Sequence, residues 1–333
     1  MTQHRKRILI LSTGGTIAMQ HDAALGGAAP VLDAGDLSRA LPEELLEIVE
    51  LELSSIVNLP SSHFTLDTLW HIRQAVVAAV SRPAVDGVVV THGTDVMEET
   101  AMLLDLTVDG HKPVVLTGAM RTATQVGYDG AANLAAAVQV AAHPNARDLG
   151  ALVVFNNEIH AARTVTKTHT LSLETFQSPA WGPVGRVEGE RVLIARNTGR
   201  DERQFIPCRG LETRVELLKL VVGSQPTLLD RLLEGDVRAI VIEALGGGRI
   251  PPWWFPSIEG AIDAGVTVVV GSRCPSGRVW DPYGYPGAVR DSIAAGCLLA
   301  EGLNGQKARI KLMVVLGATK DHDEIERLWY RSA

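Results

Sequence analysis

The chain has 333 residues, 46% of them hydrophobic, and a formal net charge of -7, with a pI near 5.8. This is enough apolar material for one large or two medium cores, and two is the better expectation at roughly 150 residues per domain. The acidic balance argues against a nucleic-acid or anionic-membrane surface and for a small-molecule partner.

Taken in chain order, the basic start MTQHRKR leads into an apolar run too short for a signal peptide or a membrane span. Short β-branched runs then recur: RILILST from Arg7, GVVVTH from Gly87, PVVLTG from Pro113 and GALVVFN from Gly150. Near-continuous apolar runs of this kind are strands covered on both faces. Between them, the stretches beginning at Thr65 and Asp129 have helical spacing, good helix formers, and Thr or Asp near their starts. Strands alternating with helices predict a parallel sheet of right-handed βαβ units. The same alternation restarts after about Leu211, with VRAIVIEAL, VTVVVGS and LNGQKARIKLMVVLGAT. The expected fold class is therefore α/β in two domains. A larger N-terminal domain (1–195) has a mostly parallel sheet flanked by helices. A polar linker (196–212), broken by Gly and Pro, leads to a smaller C-terminal α/β domain (213–333). Cys208, Cys274 and Cys297 are odd in number and in no CxxC spacing, which predicts neither a disulfide framework nor a zinc site and fits reduced thiols in a cytoplasm.

In open parallel sheets, ligands bind beyond the carboxyl ends of the strands. Three strands here end in small, hydroxyl-rich loops: STGGTIA with Gly14, Gly15 and Thr16; THGTD with His92, Thr94 and Asp95; and LTGAMR with Gly118 and Ala119. Each has a plainer explanation. A Gly-Gly-Thr turn without G-x-G-x-x-G spacing is commonly only a turn. Thr94 or Asp95, followed by Glu98, would serve as a helix cap. His92 has no HExxH-type spacing around it and reads as a buttressing group rather than a metal ligand. A fourth element is VTKT, with Lys167 between Thr166 and Thr168. A solvated surface lysine is the ordinary case. A lysine serves as a base only when burial lowers its affinity for the proton, and an adjacent carboxylate would hold its geometry.

The stretches TGGTIA, THGTDVMEETA, LTGAMR with DGAANL behind it, and VTKT resemble the signatures of the bacterial-type L-asparaginases, the asparaginase/glutaminase family, in order and spacing, and the likeness continues into LNGQKAR. The resemblance implies hydrolysis of a side-chain amide to a carboxylate and ammonia, with no metal or organic cofactor, in a two-domain α/β protein assembled as a homodimer or as a homotetramer built from a dimer of dimers. By motif position, Thr16 is the nucleophile, and Thr94, Asp95 and Lys167 form a second catalytic set. Asp95 also holds the substrate α-ammonium, Ser61 and Ser62 grip its α-carboxylate, and the Ala119 carbonyl meets the amide nitrogen. The chemistry is consistent with this, since a threonine hydroxyl needs a base and the tetrahedral oxyanion needs backbone N–H donors.

Three features depart from the family pattern. Met19 to Leu37 contains no tyrosine where the family has one that hydrogen-bonds the first threonine. Arg249 in GGGRIPPWW, and a glutamate-free WDPYGYPGAVRD, stand where secreted members carry an asparagine and a glutamate from the neighbouring protomer. Ser62 and His63 stand where those enzymes have glutamine and Asp; that serine and the missing signal peptide resemble the cytoplasmic branch more than the secreted one. Tyr283 or Tyr285 is a candidate replacement for the loop phenol; the alternative is that both pack a dimer interface beside Trp253 and Trp254. The expected activity is a cytoplasmic asparagine amidohydrolase. Two alternatives stay open: a relative acting on another amide, such as L-glutamine, D-asparagine or a des-amino amide, and a non-catalytic amino-acid-binding regulatory protein. Amidotransferase relatives with an added N-terminal domain are disfavoured because TGGTIA begins at residue 13.

Overall fold

The computed structural model describes residues 5–15, 19–22, 27–30, 41–196 and 204–331. These form two compact units that divide at Phe205 and Ile206. The first unit runs β1 (Lys6–Ser12), β2 (Met19–Asp22), β3 (Gly27–Pro30), α1 (Glu43–Ile48), β4 (Val49–Ser55), α2 (Leu66–Ser81), β5 (Gly87–Thr91), α3 (Met97–Thr107), β6 (Val114–Thr117), α4 (Gly130–Ala142), β7 (Ala151–Phe155), β8 (Glu158–Ala161), β9 (Thr166–Lys167), β10 (Phe176–Gln177), β11 (Gly185–Glu188) and β12 (Arg191–Ile194). Its main sheet has the order β12-β11-β8-β7-β6-β5-β1-β4.

From β4 to β7 the neighbours are parallel, and β5, β6 and β7 are buried along their whole length. Alternate side chains serve opposite faces. On β1, Ile8 and Ile10 join Leu134, Ala137 and Val138 of α4 in one core. Leu9 and Leu11 join Ile72 and Val76 of α2, and Met97 and Ala101 of α3, in the other. Helix α2 starts at a reciprocal capping box, in which the Thr65 hydroxyl accepts from the Thr68 amide and the Thr68 hydroxyl from the Thr65 amide.

The sheet departs from the expected elements at its two ends. β8 runs antiparallel to β7, because Asn156 and Asn157 take φ of 48° and 62° and turn the chain directly back in a two-residue hairpin; β11 pairs antiparallel with β8, and β12 with β11. β4 (VELELSS) is not among the strands expected from the sequence, since it carries carboxylates where a buried strand would carry Val or Ile. It is an edge strand: Glu50 pairs with Arg7 at 2.9 Å and Glu52 with Arg82 at 2.6 Å at the surface.

The second unit runs β13 (Val215–Lys219), α5 (Thr227–Leu233), β14 (Ala239–Ala244), α6 (Phe255–Asp263), β15 (Thr267–Ser272), α7 (Val289–Ala294), β16 (Leu298–Leu299), α8 (Gly305–Ala318) and α9 (His322–Tyr330). Its four strands form a parallel sheet in chain order. Trp254, which the sequence suggested at a surface beside Trp253, is instead buried in this unit's core and donates through Nε1 to the Ser224 carbonyl. Among the described residues no helix is long and apolar enough to cross a membrane.

Close approach of α4 to the sheet depends on Gly87, where an added Cβ would lie 2.3 Å from the Ala141 carbonyl oxygen. Gly87→Ala is expected to cost about 1–3 kcal/mol through overpacking and to lower the melting temperature of the full chain. Gly260 in α6 has nothing within 4 Å of the same position. Gly260→Ala is expected to leave the melting temperature unchanged or raise it, because alanine is the better helix former by about 1 kcal/mol. Calorimetry on both variants checks the pair, and equal effects would contradict the packing described.

Candidate functional site

The pairings Ser12↔Thr91 and Thr91↔Thr117 bring the carboxyl ends of β1, β5 and β6 into line. Their loops therefore leave the sheet along one edge and pack backbone to backbone. At Gly15 (φ +82°) a Cβ would sit 2.4 Å from the Gly93 amide nitrogen, and at Gly118 one would sit 2.4 Å from the His92 carbonyl oxygen. Only residues without side chains allow these approaches. The loop after β4 joins the same edge through Ile56 N–H to the Ser12 carbonyl (2.8 Å) and Leu59 N–H to the Thr13 carbonyl (3.3 Å). This carries Ser61 against Gly93.

Thr94 and Asp95 do not cap α3. The N-cap position is Val96, with no side-chain cap bond, so the helix-cap explanation of Thr94 and Asp95 fails. Their side-chain oxygens turn instead to Lys167, whose Nζ donates to Thr94 Oγ1 at 2.9 Å and to Asp95 Oδ1 at 3.0 Å. Thr94 is buried. The Lys167 side chain is 18% exposed, against 57% for Asp95, so the ammonium is largely enclosed while its carboxylate partner opens to solvent. Lys167 is neither a solvated surface lysine nor a member of the main sheet. It sits on the β9–β10 hairpin, opposite Phe176 in register. Phe176 is buried against Phe155 at the end of β7, ring centroids 5.0 Å apart, and the Thr168 amide and hydroxyl both donate to the Thr175 carbonyl. The hairpin thus fixes the backbone from which the lysine reaches out.

Ser61 is buried and its Oγ accepts from the Asp95 amide at 3.2 Å; that bond uses a lone pair and not the hydroxyl hydrogen. Ser62 is exposed on the adjoining turn. Ala119 is buried at the end of the β6 loop. Thr16 lies outside the described residues, as does part of the stretch in which the loop tyrosine is missing. In the second unit Tyr283 and Tyr285 are half exposed and stack on each other at 5.1 Å, with the Arg249 guanidinium 5.2 Å from the Tyr283 ring centre. Among the described residues no group of three or more His, Cys, Asp or Glu could hold a metal ion.

His92 is fully buried beneath this edge. Its Nδ1 lies 2.6 Å from the Gly93 carbonyl and its Nε2 2.9 Å from Thr100 Oγ1. A carbonyl only accepts, so Nδ1 carries the proton; in the neutral ring Nε2 then accepts the single Thr100 hydroxyl hydrogen, at 2.9 Å a shorter contact than the 3.2 Å to the Val96 carbonyl. Phe64 packs edge-on against the ring. Burial pushes the imidazole down from 6.5 to about 4, against the opposing pull of the Gly93 carbonyl and the Asp95 charge. The ring is therefore a neutral buttress under Gly93 and Thr94, as the sequence suggested.

Between the ordinary 6.5 and about 4, the unfolded chain binds a proton that the folded chain refuses. The stability tied to His92 is full above the upper value and is lost as pH falls towards the lower one, about 3 kcal/mol in all. Denaturant unfolding of wild type and His92→Gln across this window is expected to show a steeper pH slope in wild type. Parallel slopes would contradict a buried neutral imidazole.

Comparisons with known proteins identify the family. Residues 7–199 match the family model for the N-terminal domain of asparaginase, and residues 214–329 the model for the glutaminase/asparaginase C-terminal domain. The chain is 33% identical over 319 residues to an L-asparaginase of Bacillus licheniformis, covering 95% of this chain and 97% of that one. It is 34% identical over 332 residues to one of the component chains of the glutamyl-tRNA(Gln) amidotransferase of Methanosarcina mazei, covering 96% of this chain and 76% of that one. The crystal structure of a probable cytoplasmic L-asparaginase from Campylobacter jejuni superposes with a TM-score of 0.85 at 31% identity, covering 98% of this chain and 99% of that chain. With both domains matched and relatives above 30% identity along nearly its whole length, the chain belongs to the asparaginase family.

Proposed function

We propose that the protein is an amidohydrolase that converts L-asparagine to L-aspartate and ammonia in the cytoplasm, as a homodimer or homotetramer. The observation that carries this reading is the Lys167 ammonium held between the Thr94 hydroxyl and the Asp95 carboxylate at the rim of the sheet. Family membership and the L-asparaginases among the relatives support the substrate.

In this reading the Thr16 hydroxyl, assigned by motif position, attacks the side-chain amide carbon. The C–N bond breaks, the proton removed from Thr16 reaches the departing nitrogen as ammonia leaves, and an ester remains on Thr16. Water then attacks the ester, the C–O bond to Thr16 breaks, the β-carboxylate of L-aspartate is released, and the Thr16 oxygen takes a proton back. Thr94 and Lys167 act on the water's proton: once the Lys167 ammonium has passed a proton to the departing ammonia, its amine takes the proton of the Thr94 hydroxyl, which in turn takes one from water. Asp95 orients the lysine and, with more than half of its side chain open, receives the substrate α-ammonium. Ser61 and Ser62 receive the α-carboxylate, and the Ala119 carbonyl the amide nitrogen. Backbone amides of the glycine-lined loops stabilise the oxyanion.

Ammonia release from L-asparagine, L-glutamine and succinamate by wild type, Thr94→Val and Lys167→Met tests the reading. Wild type is expected to turn over L-asparagine, and each variant to lose about 10²–10⁴-fold in kcat while keeping the wild-type melting temperature within a few degrees. The assay contains no tRNA or second protein, so a chain that works only as part of an amidotransferase gives no ammonia. A folded wild type inactive on all three amides would overturn the proposal, and preference for succinamate would move it to a des-amino substrate.

A further inference from the structure

Ala119 is gripped from both sides. Before it, the Gly118 carbonyl accepts from Asn133 Nδ2 at 3.0 Å. After it, the Met120 amide donates to both carboxylate oxygens of Asp129 (3.2 and 3.0 Å), and the Arg121 amide donates to Asp129 Oδ1 at 2.9 Å. The two gripping side chains are bonded to each other, Asn133 Nδ2 to Asp129 Oδ2 at 2.9 Å. Asn133 Oδ1 accepts from the Asn156 amide at 3.0 Å, which fixes the orientation of the side-chain amide, because a backbone N–H only donates and the Gly118 carbonyl only accepts. Asn133 is 3% exposed, so water has little access to replace these bonds.

Asp129 occupies the N-cap position of α4 but makes no side-chain cap bond to its own helix. A residue there ordinarily gives its oxygens to the first-turn amides, and forgoing that costs about 1 kcal/mol. Here the carboxylate is diverted to the Met120 and Arg121 amides. A helix start that needed only stability would keep its cap; this one serves the loop from Gly118 to Arg121 around Ala119.

We propose that Asp129 and Asn133 are positioning residues for the reaction, which by holding the Gly118 carbonyl and the Met120 and Arg121 amides aim the Ala119 carbonyl at the nitrogen of the scissile amide. The inference rests on the amidohydrolase reading and on the Ala119 carbonyl meeting the amide nitrogen. A carbonyl oxygen accepts from a leaving group only when that group carries N–H or O–H. The amide nitrogen carries N–H from binding onward, whereas an ester oxygen has no hydrogen until it is protonated on leaving, so its binding and attack do not depend on where the Ala119 carbonyl points.

The test is kcat/KM for L-asparagine and for the β-methyl ester of L-aspartate, measured on wild type, Asn133→Ala and Asp129→Asn. The expected result is a loss of up to about 100-fold on the amide, the scale of a small misplacement of a reacting group, with the ester nearly unchanged, so that the amide-to-ester ratio falls by about tenfold or more. A merely structural role would lower both substrates together, and an unchanged ratio in folded variants overturns the inference while leaving the amidohydrolase reading intact. Asp129→Asn, almost identical in shape to the native residue, decides the matter should Asn133→Ala not fold. A wild type inactive on both amide and ester overturns the amidohydrolase reading and this inference with it.

Discussion

The Lys167 ammonium is the point on which the site depends. It joins a short hairpin to the end of a buried strand across 73 residues of chain, and the surrounding structure is arranged so that this reach is possible. The hairpin is held by Phe176 against Phe155, directly across from Lys167 in register. At the other end, the N-cap of α3 is Val96, one residue past Asp95 and two past Thr94, which leaves both side chains to the lysine. Leaving a helix start without a side-chain cap costs about 1 kcal/mol. Both α3 and α4 bear it at this edge, and in both the oxygen that would have capped is used on a loop or a lysine beside the site.

The close stacking of loops is the second constraint. Gly15 over Gly93, Gly93 over Ser61 and Gly118 over His92 each approach to distances a Cβ would forbid. The result is a rim made of backbone amides and carbonyls rather than of side chains, which is what an oxyanion and an amide nitrogen need to meet. The rim is stiffened from below by the neutral His92 ring and from the side by the Asp129–Asn133 pair. These groups make hydrogen bonds in a buried setting, where an unmade bond costs more than a made one gains.

The strands that build the site were legible in the sequence because burial on both faces leaves runs such as VVV and LVVF with no polar interruption. The α/β class and the two-domain layout follow from those runs, and the motifs placed Thr94 and Asp95 on a loop at a strand end and singled out Lys167 in a separate stretch. Edge elements were not legible. β4 carries glutamates because one side of it faces water, and the reversal at Asn156-Asn157 is a two-residue signal inside an otherwise apolar stretch. Asp129 was the hardest to read. An Asp immediately before a helix reads as a cap in any sequence, and only its tertiary partners, the Met120 and Arg121 amides, reveal another use. Trp254 misled in the other direction, since a Trp-Trp pair suggests a surface, yet one ring of the pair completes a core.

If Thr94 and Lys167 act as one proton-handling unit, removing the second after the first should cost almost nothing more. The most direct measurement is therefore the double-mutant cycle of Thr94→Val and Lys167→Met in kcat for L-asparagine. The expected result is a double variant no slower than the slower of the two single variants. Losses that multiply, so that the double variant is slower by the product of the single effects, would show that the 2.9 Å contact is structural and that the two side chains do not work together in the reaction.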